Sequence, residues 1–285
     1  MLLLRKLSRV AFFVAAVSCA VSIAASVPVD EEDPYFLLCG EADKAIAAEN
    51  YEEAAARLIE AMAVSPDNPG NVMLLSNLGM IYSFLDRDSL AIEVLDEAHR
   101  RAPAMRTVLA NRAKVLLKNN RDVEAYRDFS AVIAADSLNE EARYYRGMIS
   151  LENRRLEEAE SDFNVLESVA PTGIATAEAL AGLYTLTGQS KDAVPYLRRL
   201  CDSDPRPEYF ANLVNCLVDT GEYSEASAEV ARGMEKFPED ARLYYARAVL
   251  NRARYRLDEA HADASKAIKL GMDRKLVEGI FRNDR

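Results

Sequence analysis

The chain has 285 residues, with 35 Lys and Arg against 46 Asp and Glu, for a formal charge of −11. An acidic body repels nucleic acid and anionic lipid headgroups, which are bound through clustered Lys and Arg. The length suits one or two globular domains, unless an internal period overrides that count.

The first 26 residues read as an export signal. Arg5, Lys6 and Arg9 form a basic start, the apolar run Val10 to Ala25 follows, and small Ala24 and Ser26 precede the acidic stretch VDEED. That order is the secretory pattern, and the run is short for a spanning helix. Residues 1–26 are therefore expected to be removed and the product to be secreted or periplasmic, with 27–34 as a short acidic linker. The alternatives are a retained membrane anchor over residues 10–27 and lipidation of Cys19; any membrane contact is expected only through these. Past residue 26 the cysteines are Cys39, Cys201 and Cys216. Three is an odd number and no C-x-x-C pair is among them, so buried thiols are expected rather than a disulfide framework or zinc site.

From Tyr35 onward the chain repeats itself. Ala54, Ala91, Ala125, Ala159, Ala193, Ala226 and Ala260 follow one another at spacings of 37, 34, 34, 34, 33 and 34 residues. With that Ala as position 20, the units are 35–68, 72–105, 106–139, 140–173, 174–206, 207–240 and 241–274. Position 8 is small in all but Val214, position 24 is large up to Val230, and position 32 holds Pro66, Pro103, Pro171, Pro205 and Pro238. Pro69, Gly70 and Asn71 enlarge the first junction.

The pattern Leu78-Gly79-x-x-Tyr82, then Ala91, Leu95 and Pro103, resembles the tetratricopeptide repeat, whose period is 34 residues. The resemblance covers Tyr35 to about Arg274 and departs from the family in lacking its Trp at position 4. It implies an all-α fold: a right-handed α-solenoid of about seven helix-turn-helix units. A small residue at position 8 and the Ala at position 20 let paired helices approach, and Pro near position 32 ends the second helix. One unit cannot bury its own apolar face, so stability must come from stacking. Residues 275–285, with Leu276, Val277, Ile280 and Phe281 at helical spacing, are expected to cap the last unit.

The repeats also serve as their own comparison set. Arg112, Arg146 and Arg247 stand at position 7, and the same three units carry Asp128, Asp162 and Asp263 at position 23. The first unit has the reversed pair, Glu41 and Arg57. The units with Leu at position 7 have Val94, Tyr196 and Glu229 instead. Four structural ion pairs are expected.

Nothing in the sequence calls for chemistry. His99 and His261 have no ligand-spaced partner, nucleophile-elbow and phosphate-loop strings are missing, and the acidic pairs lie at helix starts, where the dipole favours them. No enzyme activity, metal or cofactor is expected. What remains is the concave face that the resemblance assigns to first-helix positions 2, 5, 9, 12 and 13. There stand Met73, Met80, Phe84, Lys114, Lys118, Tyr144, Met148, Leu151 and Tyr245, interleaved with Glu141, Glu152, Glu178, Glu208 and Asp219. Such a surface suits a protein or peptide segment carrying basic residues. The family's terminal-carboxylate clamp is not matched, since Asn215 at position 9 has only Ala211 at position 5. The sequence reads as a protein-binding scaffold of the cell envelope. A self-associating homo-oligomeric assembly component and an accessory subunit of an envelope enzyme or transporter are the other readings.

Overall fold

The computed structural model describes residues 33–281. The expected export signal, Cys19 and most of the acidic linker lie outside the described residues, as do 282–285. The described chain is all-α, and it divides into two compact units at Asn153 and Arg154.

The first unit holds α1 (Pro34–Ala47), α2 (Tyr51–Val64), α3 (Asn71–Phe84), α4 (Asp88–Arg101), α5 (Arg106–Lys118), α6 (Asp122–Ala135) and α7 (Glu140–Glu152). Helices α1 and α2, α3 and α4, and α5 and α6 form antiparallel hairpins; each hairpin packs on the next, and α7 packs on α6. The second unit holds α8 (Leu156–Val169), α9 (Ile174–Thr187), α10 (Ser190–Ser203), α11 (Pro207–Asp219), α12 (Tyr223–Lys236), α13 (Ala241–Ala253) and α14 (Leu257–Lys269). There α9 packs on α8, followed by the hairpins α9–α10, α11–α12 and α13–α14. The short helix α15 (Arg274–Glu278) and a 3₁₀ turn, Gly279–Phe281, close this unit. None of these helices is long and apolar enough to cross a membrane.

The Ala at position 20 is fully buried in every repeat. The reason is clearest in the second hairpin, where a Cβ added at Gly79 would stand 2.4 Å from Leu95 Cγ. Position 8 is small because position 24 of the facing helix already fills the space. The five prolines at position 32 each follow the C-cap residue of a second helix. In the last hairpin, which lacks that Pro, Gly271 takes φ +98° just past the end of α14 and does the same work. The enlarged first junction is tied down rather than loose. Asn71 Nδ2 donates to the Ser65 and Pro66 carbonyls at 2.8 and 3.0 Å, and Gly70 leaves room for the Tyr35 hydroxyl.

One regularity joins the first helix to the second. Glu49, Asp86, Asn120, Arg154, Gly188, Gly221 and Tyr255 all have φ between +55° and +81°. They stand at position 15 of successive repeats, so every repeat turns through one left-handed residue.

At the C-terminal end Val277 is fully buried against Ala248, Ala264 and Ala267, with Ile280 and Phe281 packed beside it. Phe281 also stacks on His261 at 4.1 Å between ring centroids. Leu276, by contrast, is 53% exposed; of the four apolar cap residues it is the one that faces water. At the other end, position 3 is buried in all six later first helices but is 53% exposed at Leu37. The first hairpin has no predecessor among the described residues to cover it.

Candidate functional site

Position 23, facing position 7 across a hairpin, holds three of the four buried charged residues among the described ones: Asp128, Asp162 and Asp263. Arg112 Nε and Nη2 donate to the two Asp128 oxygens at 2.7 and 2.8 Å, with a third bond to Asp96 at 3.2 Å. Arg247 grips Asp263 in the same two-pronged way at 2.9 and 2.5 Å, and Asn251 adds a bond at 2.9 Å. Burial works against the Arg112 guanidinium, but Asp128 outweighs it and holds its pKa above the usual value. In the first hairpin Arg57 lies 3.2 Å from Glu41, shared with Glu53 and Glu60 on a more open surface. Arg146 and Asp162 belong to different compact units. Within its own unit Arg146 donates to Ser130 Oγ at 3.3 Å and lies over the Tyr126 ring.

Two hairpins without Arg at position 7 also use position 23, in ways that sequence reasoning missed. Tyr196 donates its hydroxyl to Glu167 on α8. Glu229 lies 3.1 Å from Arg232, which also bonds Asp202 at 2.9 Å and covers the Phe210 ring. A long side chain one turn along the same helix was the signal that could have found the second of these.

The face formed by the first helices is built differently from expectation. Met80, Tyr144, Met148 and Leu151 are buried within the chain, so a partner would meet other side chains. Tyr144 packs edge-on against Tyr145. Met73, Phe84 and Tyr245 are only partly covered; Phe84 stacks on Tyr51 at 5.1 Å, and Tyr245 packs against the core of the last hairpin. Lys114 and Lys118 are not free cations. Lys114 Nζ donates to Glu141 at 2.9 Å, with only 11% of its side chain exposed. Lys118 Nζ donates to the Ser83 carbonyl at 2.6 Å and to Asp86 at 2.9 Å, and lies 3.0 Å from Asp88.

The acids of this face are also taken up. Glu178 accepts from the Tyr209 hydroxyl and lies 3.6 Å from Arg206. Glu208, buried, accepts from Arg242 at 2.7 Å, and Asp219 accepts from Ser190 Oγ at 2.9 Å. These are contacts between neighbouring repeats. The same register joins Asn111 to Ser76 at 3.0 Å. Against this background one group stands out: Asn215 Oδ1, on α11, is buried and has no hydrogen-bond partner. Asn215 shares its first-helix face with half-buried Val218. Sequence reasoning had set Asn215 aside because the rest of the carboxylate clamp was missing.

Among the described residues no three His, Cys, Asp or Glu come together as a metal site. Cys39, Cys201 and Cys216 are free and buried, the last two in one core cluster. Burial pushes the Cys39 thiol up to about 11, with Asp43 adding to it, and the Cys201 thiol up to about 12.

The family model of the tetratricopeptide repeat matches residues 111–172 and 212–274, on the helices whose packing is described above. The chain is a tetratricopeptide-repeat protein. Solved structures share its fold. A tetratricopeptide-repeat protein from Parabacteroides merdae is 22% identical over 87% of this chain and 98% of its own, with a TM-score of 0.63. PilW, a type IV pilus biogenesis factor, is 19% identical over 74% of this chain and 97% of its own, with a TM-score of 0.65. YrrB, a repeat protein with an unusual peptide-binding site, is 22% identical over 66% of this chain and 97% of its own, with a TM-score of 0.57. No curated protein sequence matches. Tetratricopeptide-repeat proteins bind protein or peptide partners and are typically not catalysts.

Proposed function

We propose that this tetratricopeptide-repeat protein is an exported interaction scaffold of the cell envelope. It holds a segment of a partner protein on the first-helix face and carries out no chemistry. The observation that carries this reading is Asn215. A buried amide oxygen without a donor costs free energy, on the order of 1–3 kcal/mol; Asn215 as a residue is only half-buried, so a turn of its side chain would bring that oxygen out to a partner's backbone N–H. The likeness to YrrB supports a peptide as the occupant, and the signal-like residues 1–26 support export.

A photo-crosslinking residue at position 215 tests the proposal against one at Glu160, exposed on a second helix. Crosslinking to a partner in the envelope fraction is expected from position 215 alone. Equal crosslinking from both positions, or from 160 only, would sink the assignment of the face.

Self-association is a second reading, and the open edge at Leu37 favours it. That residue stands where every later repeat is covered by a neighbour. Light scattering across a hundredfold concentration range separates the two readings: a constant monomer mass removes self-association, and a rising mass supports it.

A further inference from the structure

Two features from the two ends of the sequence answer each other, and we infer that copies of this chain associate head to tail. The acidic stretch 30–33 of one copy docks on the turn between α13 and α14 of the next. This inference rests on the self-association reading and deepens it. The turn is Arg254, Tyr255 and Arg256. Tyr255 holds φ +60° with 91% of its surface exposed, the most of any large apolar side chain among the described residues. A bulky residue in the left-handed region with no packing in return is an outlier of the kind that marks a contact site. Tyr beside Arg is also the composition of interface anchors. Arg254 Nη1 donates to the neutral Ser227 hydroxyl at 2.9 Å, which leaves its charge uncancelled, and exposed Arg256 has no ion pair among the described residues. Asp258 and Glu259 follow in the first turn of α14, where the helix dipole favours them. The region is cationic even so: residues 241–285 carry eleven Lys and Arg against six Asp and Glu, in a chain of formal charge −11.

The occupant follows from charge. Asp30, Glu31, Glu32 and Asp33 are four consecutive acids, a run found nowhere else in the sequence, and residues 30–66 carry ten acids against Lys44 and Arg57. Arg57 is already shared by Glu41, Glu53 and Glu60. Four residues past Asp33 stands Leu37, 53% exposed, which Leu257 of the neighbouring copy, 48% exposed and next to the turn, can cover. Lys44 opposes the other way of joining copies, in which one end stacks on the first hairpin as a further repeat. Position 10 is apolar and buried in all six later repeats, from Ile81 to Leu250, whereas Lys44 at the first is exposed. A contact between unlike patches joins copies into open chains or rings and not into a two-fold dimer.

The test is light scattering over a hundredfold concentration range on the chain and on two charge-reversed variants, Arg254→Glu with Arg256→Glu and Glu31→Lys with Glu32→Lys. The parent mass is expected to rise past that of a dimer at about 50 mM NaCl and to fall back at about 500 mM. Each variant alone is expected to stay monomeric. An equimolar mixture of the two is expected to form a dimer and stop there, because the acidic stretch of the first still meets the unaltered turn of the second. Variants that associate like the parent, or a mixture that stays monomeric, would overturn the inference and leave self-association through another face. A parent that is monomeric throughout removes the self-association reading itself. Tyr255→Asn guards against mere loss of fold: it is expected to be the more stable chain, yet to need about tenfold higher concentration to associate. Association equal to the parent's would show that Tyr255 is no anchor. Flotation with anionic phospholipid vesicles tests the competing occupant. Vesicle binding by a monomeric parent, abolished by Arg254→Glu with Arg256→Glu, would give the turn to a membrane surface and end its assignment to a second copy.

Discussion

Tyr255 sits in a backbone conformation that suits Gly or Asn, with φ +60° and 91% of its surface exposed. An L-residue pays about 1–2 kcal/mol there, and no side-chain contact repays it. Tyr255→Asn is therefore expected to raise stability by roughly 1 kcal/mol, read as a higher urea midpoint with unchanged slope. Gly79 poses the opposite case. Its missing Cβ is the space Leu95 occupies, so Gly79→Ala is expected to destabilise by about 1–3 kcal/mol. Adding Leu95→Ala should recover part of that loss, and strict additivity would show that the two positions do not compete for space. The two residues also mark what was legible. Position 8 announces itself by size, because close packing leaves no alternative. The left-handed position announces itself at Gly188, Gly221 and Asn120; at Glu49, Arg154 and Tyr255 the hairpin imposes it on residues that do not ask for it.

At the scale of helices, the correlation between positions 7 and 23 was visible because the repeats could be compared with one another. The correlation says that two residues meet but not how much water they keep. The structure separates the cases: 15% and 7% of the Arg112 and Asp128 side chains are exposed, against 33% and 53% for Arg57 and Glu41. Asp128→Ala leaves a guanidinium largely out of water and is expected to cost about 3 kcal/mol or more. Glu41→Ala, in a solvated pair with two other acids nearby, is expected to cost under about 1 kcal/mol. Equal losses in chemical denaturation would mean that the depth of the pair does not matter. The proposed binding face was the least legible element. Periodicity places Met80, Tyr144, Met148 and Leu151 on one stripe, but a stripe that neighbouring helices bury looks the same in sequence as one left open. Pairing between repeats is equally silent, since Glu208 and Arg242 lie 34 residues apart.

For the whole molecule, the hierarchy of small residue, large residue and proline carried the fold, because each has a local physical reason that recurs every 34 residues. Solubility at high pH is a different matter from stability there, and the buried thiols contribute to the latter. Cys39 and Cys201 hold their protons to about 11 and about 12, whereas an unfolded thiol loses its proton near 8.5. Below that pH both states are protonated and stability is unaffected. Above it the unfolded chain ionises first, so stability falls as pH rises through 9 and 10. The urea midpoint at pH 10 is expected to lie below that at pH 7.5. A Cys39→Ala, Cys201→Ala double variant should lose part of the difference. In the same buffers a thiol reagent should leave Cys39, Cys201 and Cys216 untouched in the native chain and modify all three in the unfolded one.

The left-handed turns carry one further consequence. A Cβ added at Gly188 or Gly221 would meet nothing within 4 Å, so the tips of those hairpins project into free solvent. Extra residues spliced in there would leave the helix contacts on either side untouched. Such tips are ports at which an epitope, a fluorophore or a whole guest domain can be grafted, and the spacing of the repeat would act as the ruler between them.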